Sequence, residues 1–312
     1  MKKREEKQIL SKLCLGTVQF GMKYGINNQL GRQPTMDESF SMLDYAISNG
    51  IGVIDTAAAY GEAEELLGSY LKKRQCKQEV KIISKLKPNI IDNGSYIEKK
   101  VIEECKGSLR RLSIEQLDGY LLHTPEYIYD EDIIAALLKL KQDGYVKNIG
   151  VSIYRLKEGY ASVNTGLMDY IQMPYSILDQ RGMKEGFIPF AKKAGIKIFT
   201  RSVFLQGLFM MDQKSVPGYL KNALPYLEIM EKILYKYDVD KVSGILKFVQ
   251  YEKDIDYLVF GVEKIEQLKE NILKSKNGNM PEQCIQELKE RINNVNQSVI
   301  LPSLWSNGKK VL

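Results

Sequence analysis

The sequence predicts an α/β protein with the fold of a (β/α)8 TIM barrel. Short apolar segments of strand length alternate along the chain with longer amphipathic segments of helical period. Such alternation is typical of a parallel sheet. Eight strand–helix units in 312 residues fit a closed barrel better than an open doubly wound sheet. Because no linker-like or low-complexity stretch interrupts the pattern, we expect a single domain over 1–312, with its core at about 10–275 and a C-terminal helix and tail over 276–312.

The predicted strands are apolar runs that end at polar or glycine residues. They cover 13–17, 51–55, 80–86, 117–123, 146–152, 169–175, 196–202 and 256–261. The predicted helices cover 37–50, 62–74, 95–112, 130–144, 155–163, 186–195, 218–236, 241–252, 264–275 and 281–296. Two of them begin with the spacing of a capping box, Thr35 with Glu38 and Ser95 with Glu98.

Composition argues against several functional classes. The chain is 44% hydrophobic and 27% charged, which is typical of a soluble globular protein. The net charge is +6, but the basic residues are interspersed with acids, so we expect no nucleic-acid partner. No apolar run has the length of a membrane helix or a signal peptide, so we expect a cytoplasmic protein with no membrane partner.

The cysteine and histidine content argues against a metal site. The four cysteines form no CxxC pair and the chain has one histidine, so a Cys/His zinc site is not expected. Reduced thiols in the cytosol are the simplest interpretation.

Polar residues stand where three consecutive predicted strands end. Asp55 ends the second strand, and Tyr60 follows five residues later in the loop. Lys85 lies near the end of the third strand, and His123, the only histidine, ends the fourth. The carboxyl ends of barrel strands meet at one rim, where the chemistry of such barrels is carried out. We therefore expect these four side chains to converge; a structural ion pair with a neighbouring tyrosine and histidine is the simpler alternative.

The four residue types suit proton donation. A free tyrosine, with a pKa near ~10, is a weak acid at neutral pH. An ammonium such as that of Lys85 would lower the pKa of Tyr60, and Asp55 would hold the ammonium in place. A histidine that donates a hydrogen bond can orient a substrate oxygen.

The sequence resembles the aldo-keto reductase superfamily. The matching segments are LGTVQFG, IDTAAAYG, ISKL, LLH, GVS, IQMPYS, FLQGLF and FGVEKIEQLKENI, which run in family order from about residue 13 to 272. The resemblance implies that Asp55, Tyr60, Lys85 and His123 are the catalytic residues, with Tyr60 as the general acid in reduction and the base in oxidation. It also implies a nicotinamide cofactor bound without a Rossmann domain, and the chain has no GxGxxG.

The resemblance further implies which residues hold the cofactor. They lie at strand ends and in the last βα loop: Gly16 and Thr17 near the nicotinamide ribose; Asp55, Ser152, Gln172 and Arg201 around the nicotinamide; Gln206, Gly207 and Leu208 at the pyrophosphate; and Gly261, Glu263, Lys264, Gln267, Glu270 and Asn271 around the adenosine.

Two positions depart from the family pattern. Arg201 stands where the family often has an aromatic ring that stacks on the nicotinamide; it could lie flat by its guanidinium or reach the pyrophosphate. At the adenosine end, Lys264 is the only nearby base, Gln267 stands where arginine is common, and Glu263 is acidic. The family pattern still favours NADP(H), with NAD(H) as the alternative.

The substrate is expected to be a small polar carbonyl or alcohol compound, a sugar derivative being one candidate, because the loop over 24–35 is polar and long enough to cover the site. Tyr24, Tyr127 and Trp305 could line the pocket or pack in the core. Two other functions stay open: a nicotinamide-binding, redox-sensing barrel without significant turnover, and a lyase or isomerase that uses Lys85 as a Schiff-base amine. A charged Asp55 beside Lys85 argues against the latter.

Overall fold

A computed structural model describes residues 9–76, 80–90 and 96–305, and these form a closed barrel of parallel strands. The strands are β1 (Leu13–Gly16), β2 (Val53–Asp55), β3 (Lys81–Leu86), β4 (Gly119–Leu122), β5 (Ile149–Ser152), β6 (Tyr170–Pro174), β7 (Lys197–Arg201) and β8 (Tyr257–Gly261). Each strand pairs with its neighbours in sequence, and β1 closes the barrel by pairing with β8, Gly16 opposite Gly261. The (β/α)8 prediction and all eight predicted strands are confirmed.

Helices surround the barrel. They are α1 (Val18–Gly21), α2 (Met36–Ser48), α3 (Ala63–Arg74), α4 (Ile97–Leu112), α5 (Glu131–Gln142), α6 (Leu156–Asn164), α7 (Arg181–Lys184), α8 (Phe187–Lys193), α9 (Leu224–Lys236), α10 (Lys241–Gln250), α11 (Ile265–Asn277), α12 (Glu282–Arg291) and α13 (Gln297–Ile300). The capping box of α2 is confirmed, since Thr35 Oγ1 accepts from Glu38 N and Glu38 Oε2 accepts from Thr35 N. The second predicted capping box begins at Ser95, which lies outside the described residues.

Two helices are shorter than predicted. Residues Gly218–Ala223 form a 3-10 segment, and α9 begins only at Leu224, followed by Pro225. Proline is well suited to the first turn of a helix because it has no N–H to satisfy and its φ is already helical. Helix α12 ends at Arg291 instead of 296, because Ile292 is extended and Asn294 has a φ of 51°.

The barrel interior is packed with side chains that point inward from successive strands. This inner core consists of Cys14, Val53, Ile83, Leu121, Tyr170, Phe199 and Val259. A larger apolar layer lies between the strands and the helices. The inner core fills the barrel axis, so the cavity described below lies above it, at the carboxyl ends of the strands.

The C-terminal helix α12 is tied to the barrel by polar contacts. Lys289 Nζ lies 2.7 Å from the buried carboxylate of Glu252, and Gln180 Nε2 donates to the carbonyl of Ile292 at 3.0 Å. Trp305 is buried and donates to the carbonyl of Val299, so it packs in the core and does not line the cavity described below. Among the described helices, none has the length and apolar character needed to cross a membrane.

Candidate active site

A buried ion pair lies at the carboxyl ends of β2 and β3. Lys85 Nζ is 2.8 Å from both carboxylate oxygens of Asp55 and 2.9 Å from the carbonyl oxygen of Thr56. Gln172 Nε2, from β6, donates to Asp55 Oδ1 at 2.7 Å. Burial of charges is costly unless they are paired and hydrogen-bonded, and both conditions hold here. The predicted pairing of Asp55 with Lys85 is confirmed.

Tyr60 stands next to this pair because its loop is packed tightly on α1. Its hydroxyl oxygen lies 3.4 Å from Lys85 Nζ, which is also 4.9 Å from the centroid of its ring. A Cβ atom at Gly21 would lie only 1.6 Å from the carbonyl oxygen of Tyr60. Only glycine fits at position 21, so the segment after β1 helps to set the position of the phenol.

The pKa of Tyr60 is raised well above the usual value for a phenol, because burial disfavours the phenolate and the charge of Asp55 adds to the effect. The net shift is opposite to the lowering expected from Lys85, because burial and the charge of Asp55 outweigh the neighbouring ammonium. At neutral pH Tyr60 is a protonated phenol.

His123 lies beside Tyr60, just after the end of β4. The two rings meet edge to face, with centroids 5.8 Å apart. Burial, with the nearby charges of Lys85 and Arg201, lowers the pKa of His123 to about 3, so the ring is neutral at pH 7. Its Nδ1 is buried and has no hydrogen-bond partner among the described residues. The structure thus brings together the four side chains that the sequence predicted to converge.

A cavity of about 320 Å3 extends from Tyr60 and His123 to the turn between β8 and α11. Most of the predicted cofactor residues line it: Gly16, Thr17, Asp55, Ser152, Arg201, Gln206, Gly207, Gly261, Glu263, Gln267, Glu270 and Asn271. A second, more open depression of about 600 Å3 at the opposite end of the barrel, around Lys141 and Asp169, contains none of the predicted site residues.

Comparison with known proteins identifies the family. The sequence model of the Aldo/keto reductase family matches residues 12–293, which is most of the chain. The chain belongs to the aldo/keto reductase family. The resemblance seen in the sequence is confirmed, and the protein is an NAD(P)-dependent oxidoreductase that acts on carbonyl compounds.

Individual relatives agree with this assignment. The NADH-specific methylglyoxal reductase of Escherichia coli is 28% identical over 298 residues, which cover 84% of this chain and 89% of the relative. An uncharacterized oxidoreductase of Bacillus subtilis is 31% identical over 255 residues, which cover 76% and 81% of the two chains. The structure of an aldo-keto reductase from Bacillus halodurans, in its holo form, has a TM-score of 0.73 at 21% identity and covers 95% of each chain. The similarity to this last structure shows that the two chains share the same fold.

Three predicted cofactor residues of this aldo/keto reductase do not line the cavity. Gln172 is fully buried and lies behind Ser152, whose Oγ is 3.4 Å from its Oε1. Leu208 is fully buried in the apolar layer. Lys264 is not among the lining residues, although its neighbours Glu263 and Gln267 are.

The first βα loop covers the cavity, as its length and polarity indicated. The hydroxyl of Tyr24 accepts from Gln206 Nε2 at 3.0 Å, and Ile26 N donates to the carbonyl of Gln206 at 3.1 Å. Further along, Gln29 N donates to Glu263 Oε1 at 2.7 Å. The loop is thus joined to the segments after both β7 and β8.

Several lining residues were not singled out as cofactor or catalytic residues from the sequence. They include Gln19, Asn27, Asn28, Gln29, Tyr154, Ser202 and Phe204. Gln19, Tyr154, Ser202 and Phe204 lie within three residues of a strand end, a property that many surface residues share, whereas Asn27, Asn28 and Gln29 lie further along the first βα loop. Gln19 stands out in the structure, because its Oε1 is buried in the cavity wall without a partner among the described residues.

The two ends of the cavity differ in charge. Glu263 and Glu270 line the end near α11, and Glu263 is buried. Arg201 lines the end near Tyr60 and is the only basic side chain, apart from the neutral His123, among the described lining residues. The Cζ atom of its guanidinium lies over the ring of Tyr154, 4.2 Å from the centroid, in a cation–π contact.

Proposed function

We propose that the protein catalyses the reversible reduction of a small carbonyl compound to an alcohol, with Tyr60 as the general acid in reduction and the general base in oxidation. The single observation that carries this proposal is the convergence of a protonated phenol, a neutral imidazole and a buried Lys–Asp pair at one wall of a cavity. The positions of these groups suit the transfer of a proton to an oxygen atom bound between Tyr60 and His123.

The protonated state of Tyr60 at neutral pH fits a role as a proton donor. A protonated phenol can give its proton to the carbonyl oxygen, and the phenolate left behind would lie beside the ammonium of Lys85, 3.4 Å away. Stabilisation of this charge as it forms lowers the barrier of the transfer. Asp55 then has a positioning role, because it holds the ammonium that faces the phenol.

The neutral state of His123 supports a different role. A neutral ring has one N–H, and with Nδ1 buried we assign the proton to Nε2, facing the cavity. This N–H would donate to the carbonyl oxygen and orient it next to Tyr60. A cationic ring would compete with Tyr60 as the proton donor, and its low pKa excludes that form at neutral pH.

The hydride must come from the nicotinamide cofactor, because no side chain can supply one. The cavity suits such a ligand, because polar uncharged groups such as those of Thr17, Ser152 and Asn271 line its length. We propose that Gly16, Thr17 and Ser152 hold the nicotinamide end. Gln172, hydrogen-bonded to both Ser152 and Asp55, is then a positioning residue.

The remaining contacts follow the cavity outward. We propose that the segment around Gln206 and Gly207 binds the pyrophosphate, and that the adenosine lies against the turn after β8. The loop over 24–29 would retain the cofactor.

For the cofactor, the cavity supports NAD(H), in contrast to the NADP(H) preference suggested by the family pattern. Two carboxylates, Glu263 and Glu270, face the adenosine end, and Lys264 does not line it. Carboxylates repel a 2′-phosphate and can accept hydrogen bonds from a free ribose hydroxyl. The NADH specificity in the name of the Escherichia coli relative agrees with this choice.

The cofactor proposal is tested by fluorescence titration with NADH and NADPH. We expect the Kd for NADH to be lower by about 10-fold or more, equivalent to ~1.4 kcal/mol. Glu263→Gln keeps an acceptor for Gln29 N but removes the negative charge. We expect this variant to have a smaller difference between the Kd values for NADH and NADPH. The control is Glu266→Gln, which removes an exposed charge from the first turn of α11, outside the cavity. Tighter binding of NADPH by the wild type would reject the proposal.

A Schiff-base function receives no support from the geometry. Lys85 Nζ donates to both carboxylate oxygens of Asp55 and to the carbonyl oxygen of Thr56. These three bonds match the three N–H groups of a protonated lysine. Nucleophilic attack on a carbonyl needs a free amine lone pair, so the surroundings of Lys85 disfavour it.

The catalytic proposal is tested with Tyr60→Phe, assayed with NADH and a panel of small aldehydes that includes methylglyoxal. We expect turnover to slow by about 10²- to 10⁴-fold, the usual contribution of an acid–base group. The affinity for NADH, measured by nicotinamide fluorescence, should stay near that of the wild type. Turnover close to wild type would reject the role of Tyr60, and a wild-type protein that binds NADH but reduces nothing would favour the redox-sensing alternative.

A further inference from the structure

Arg201 has unused hydrogen-bonding capacity inside the cavity. Its Nη2 donates to the carbonyl of Ile153 at 3.1 Å and its Nη1 to Ser202 Oγ at 3.3 Å. A guanidinium carries five N–H donors, so most of its capacity remains after these two bonds. Both partners are neutral, and no ion pair joins Arg201 to a carboxylate within the described ranges. A partly buried cation without a counter-charge is unfavourable, and a bound anion would remove that cost.

The guanidinium is held in a fixed orientation. Tyr154 supports one face of its plane, and the Ile153 carbonyl fixes one edge. An arginine whose plane is already ordered loses little conformational entropy when it binds a planar or tetrahedral oxyanion, often through two parallel bonds. The arrangement therefore has the character of a prepared anion site.

We propose that Arg201 binds a carboxylate or phosphate group of the substrate, so that the protein acts on acidic carbonyl compounds. This inference rests on the function proposed above. The positive charge of Arg201 contributes a lowering to the pKa of both Tyr60 and His123, although burial keeps the pKa of Tyr60 raised overall. The guanidinium therefore lies at the reacting end of the cavity. An anionic group on Arg201 would leave the carbonyl of the same small molecule within reach of Tyr60.

The cofactor pyrophosphate is the other source of an oxyanion. It is the less suitable partner, because the proposed pyrophosphate segment around Gln206 and Gly207 is joined to Tyr24, Ile26 and Asn27 of the covering loop and not to Arg201. The experiment separates the two sources by measuring substrate discrimination and cofactor affinity independently.

The test compares matched substrates with and without the anionic group: 4-oxobutanoate against butanal, and D-glyceraldehyde 3-phosphate against D-glyceraldehyde. For the wild type we expect kcat/KM to favour the anionic member of at least one pair by about 10-fold or more. In Arg201→Gln the ratio of kcat/KM for the anionic substrate to kcat/KM for the neutral one should fall by about 10- to 100-fold. This is the usual effect of losing one charge-assisted hydrogen-bonded contact. Because the readout is a ratio, a general loss of activity does not affect it.

The control variant is Arg155→Gln, which removes an exposed positive charge from the same loop as Tyr154 outside the cavity. Its substrate ratio should match that of the wild type. As a readout independent of turnover, calorimetric titration of the protein–NAD+ complex with butanoate and with butanamide should show tighter binding of the acid in the wild type and no preference in Arg201→Gln.

Each outcome decides a specific point. A wild type that reduces both members of each pair equally well would overturn the inference and leave the proposed function intact. An unchanged ratio in Arg201→Gln, with weaker binding of NADH, would assign Arg201 to the cofactor and also overturn it. No reduction of any carbonyl by the wild type would instead be a failure of the proposed function.

Discussion

The two rims of the barrel use charged residues in opposite ways. At the rim formed by the amino ends of the strands, three aspartates each stand one residue before an even-numbered strand and pair with a lysine. The pairs are Asp118 with Lys147 at 3.0 Å, Asp169 with Lys141 at 2.6 Å and Asp256 with Lys192 at 2.7 Å. Every carboxylate in this set has a counter-charge.

The same aspartates also accept from the backbone of the preceding strand. Asp118 accepts from Ile82 N, Asp169 from Ile149 N and Asp256 from Ile198 N, at distances between 2.8 and 3.2 Å. An amide near the start of β3, of β5 and of β7 is thereby satisfied by a side chain that precedes the next strand. These three pairs satisfy one another's charges and the edge of the sheet.

At the carboxyl rim the polar groups are only partly satisfied. Gln19 Oε1 and His123 Nδ1 are buried without partners among the described residues, and Arg201 has no counter-charge there. Asp55 and Lys85 resemble the pairs of the other rim, since they satisfy each other. Incomplete pairing contributes little to stability, but the unused N–H groups of Arg201 remain for a ligand at the end where barrels carry their active sites. The contrast shows where this fold uses its polar groups for stability and where for function.

The largest difference between the rims is expected for Lys→Met substitutions. Lys85→Met leaves the carboxylate of Asp55 buried without its counter-charge, so we expect a loss of about 3–5 kcal/mol in the free energy of unfolding and loss of activity. Lys147→Met, at the amino rim, breaks a pair in which the lysine side chain is 54% exposed, and should cost less than about 1 kcal/mol. Denaturant unfolding measures both. Equal losses in the two variants would remove the distinction between the rims.

Acid should weaken the carboxyl rim through His123. The pKa of His123 is about 3 in the folded protein but near 6.5 when unfolded, so the unfolded chain takes up a proton first as pH falls. Stability is therefore lost below about pH 6.5 and continues to fall until pH 3. At pH 5 the loss is up to about 2 kcal/mol relative to pH 7.5.

The comparison with His123→Gln isolates this effect, because the chain contains no other histidine. The unfolding free energy of the wild type should decline more steeply between pH 7.5 and pH 5 than that of His123→Gln. Parallel pH profiles for the two proteins would mean that His123 is not buried in its neutral form.

The smallest effect is expected for Asp256→Asn at the amino rim. Asparagine can still accept from Ile198 N, but it loses the charge that pairs with Lys192, so we expect a loss of about 1 kcal/mol in stability. The turnover rate should not change, because this residue lies at the far end of the barrel from Tyr60. A variant whose turnover is slower than that of the wild type by an order of magnitude would show that the two rims are not independent.

The order of residues along the chain is enough to predict the strands, the barrel and the four residues at the reacting end. Strands buried on both sides read as short apolar runs, and the polar residue that ends each run must lie at one rim of a parallel barrel. The assignment of Asp55, Tyr60, Lys85 and His123 to one place needed only this order along the chain.

How these residues behave depends on contacts that form only when the chain folds. The bond from Gln172 to Asp55 joins positions 117 residues apart. Neighbours from other strands and loops also raise the pKa of Tyr60 and place Arg201 over the ring of Tyr154. They likewise join the covering loop to Glu263. Hydrophobic periodicity is a local property of the chain, so strands can be predicted from the sequence. Burial, desolvation and side-chain pairing depend on neighbours from distant segments, so they become known only from the folded structure.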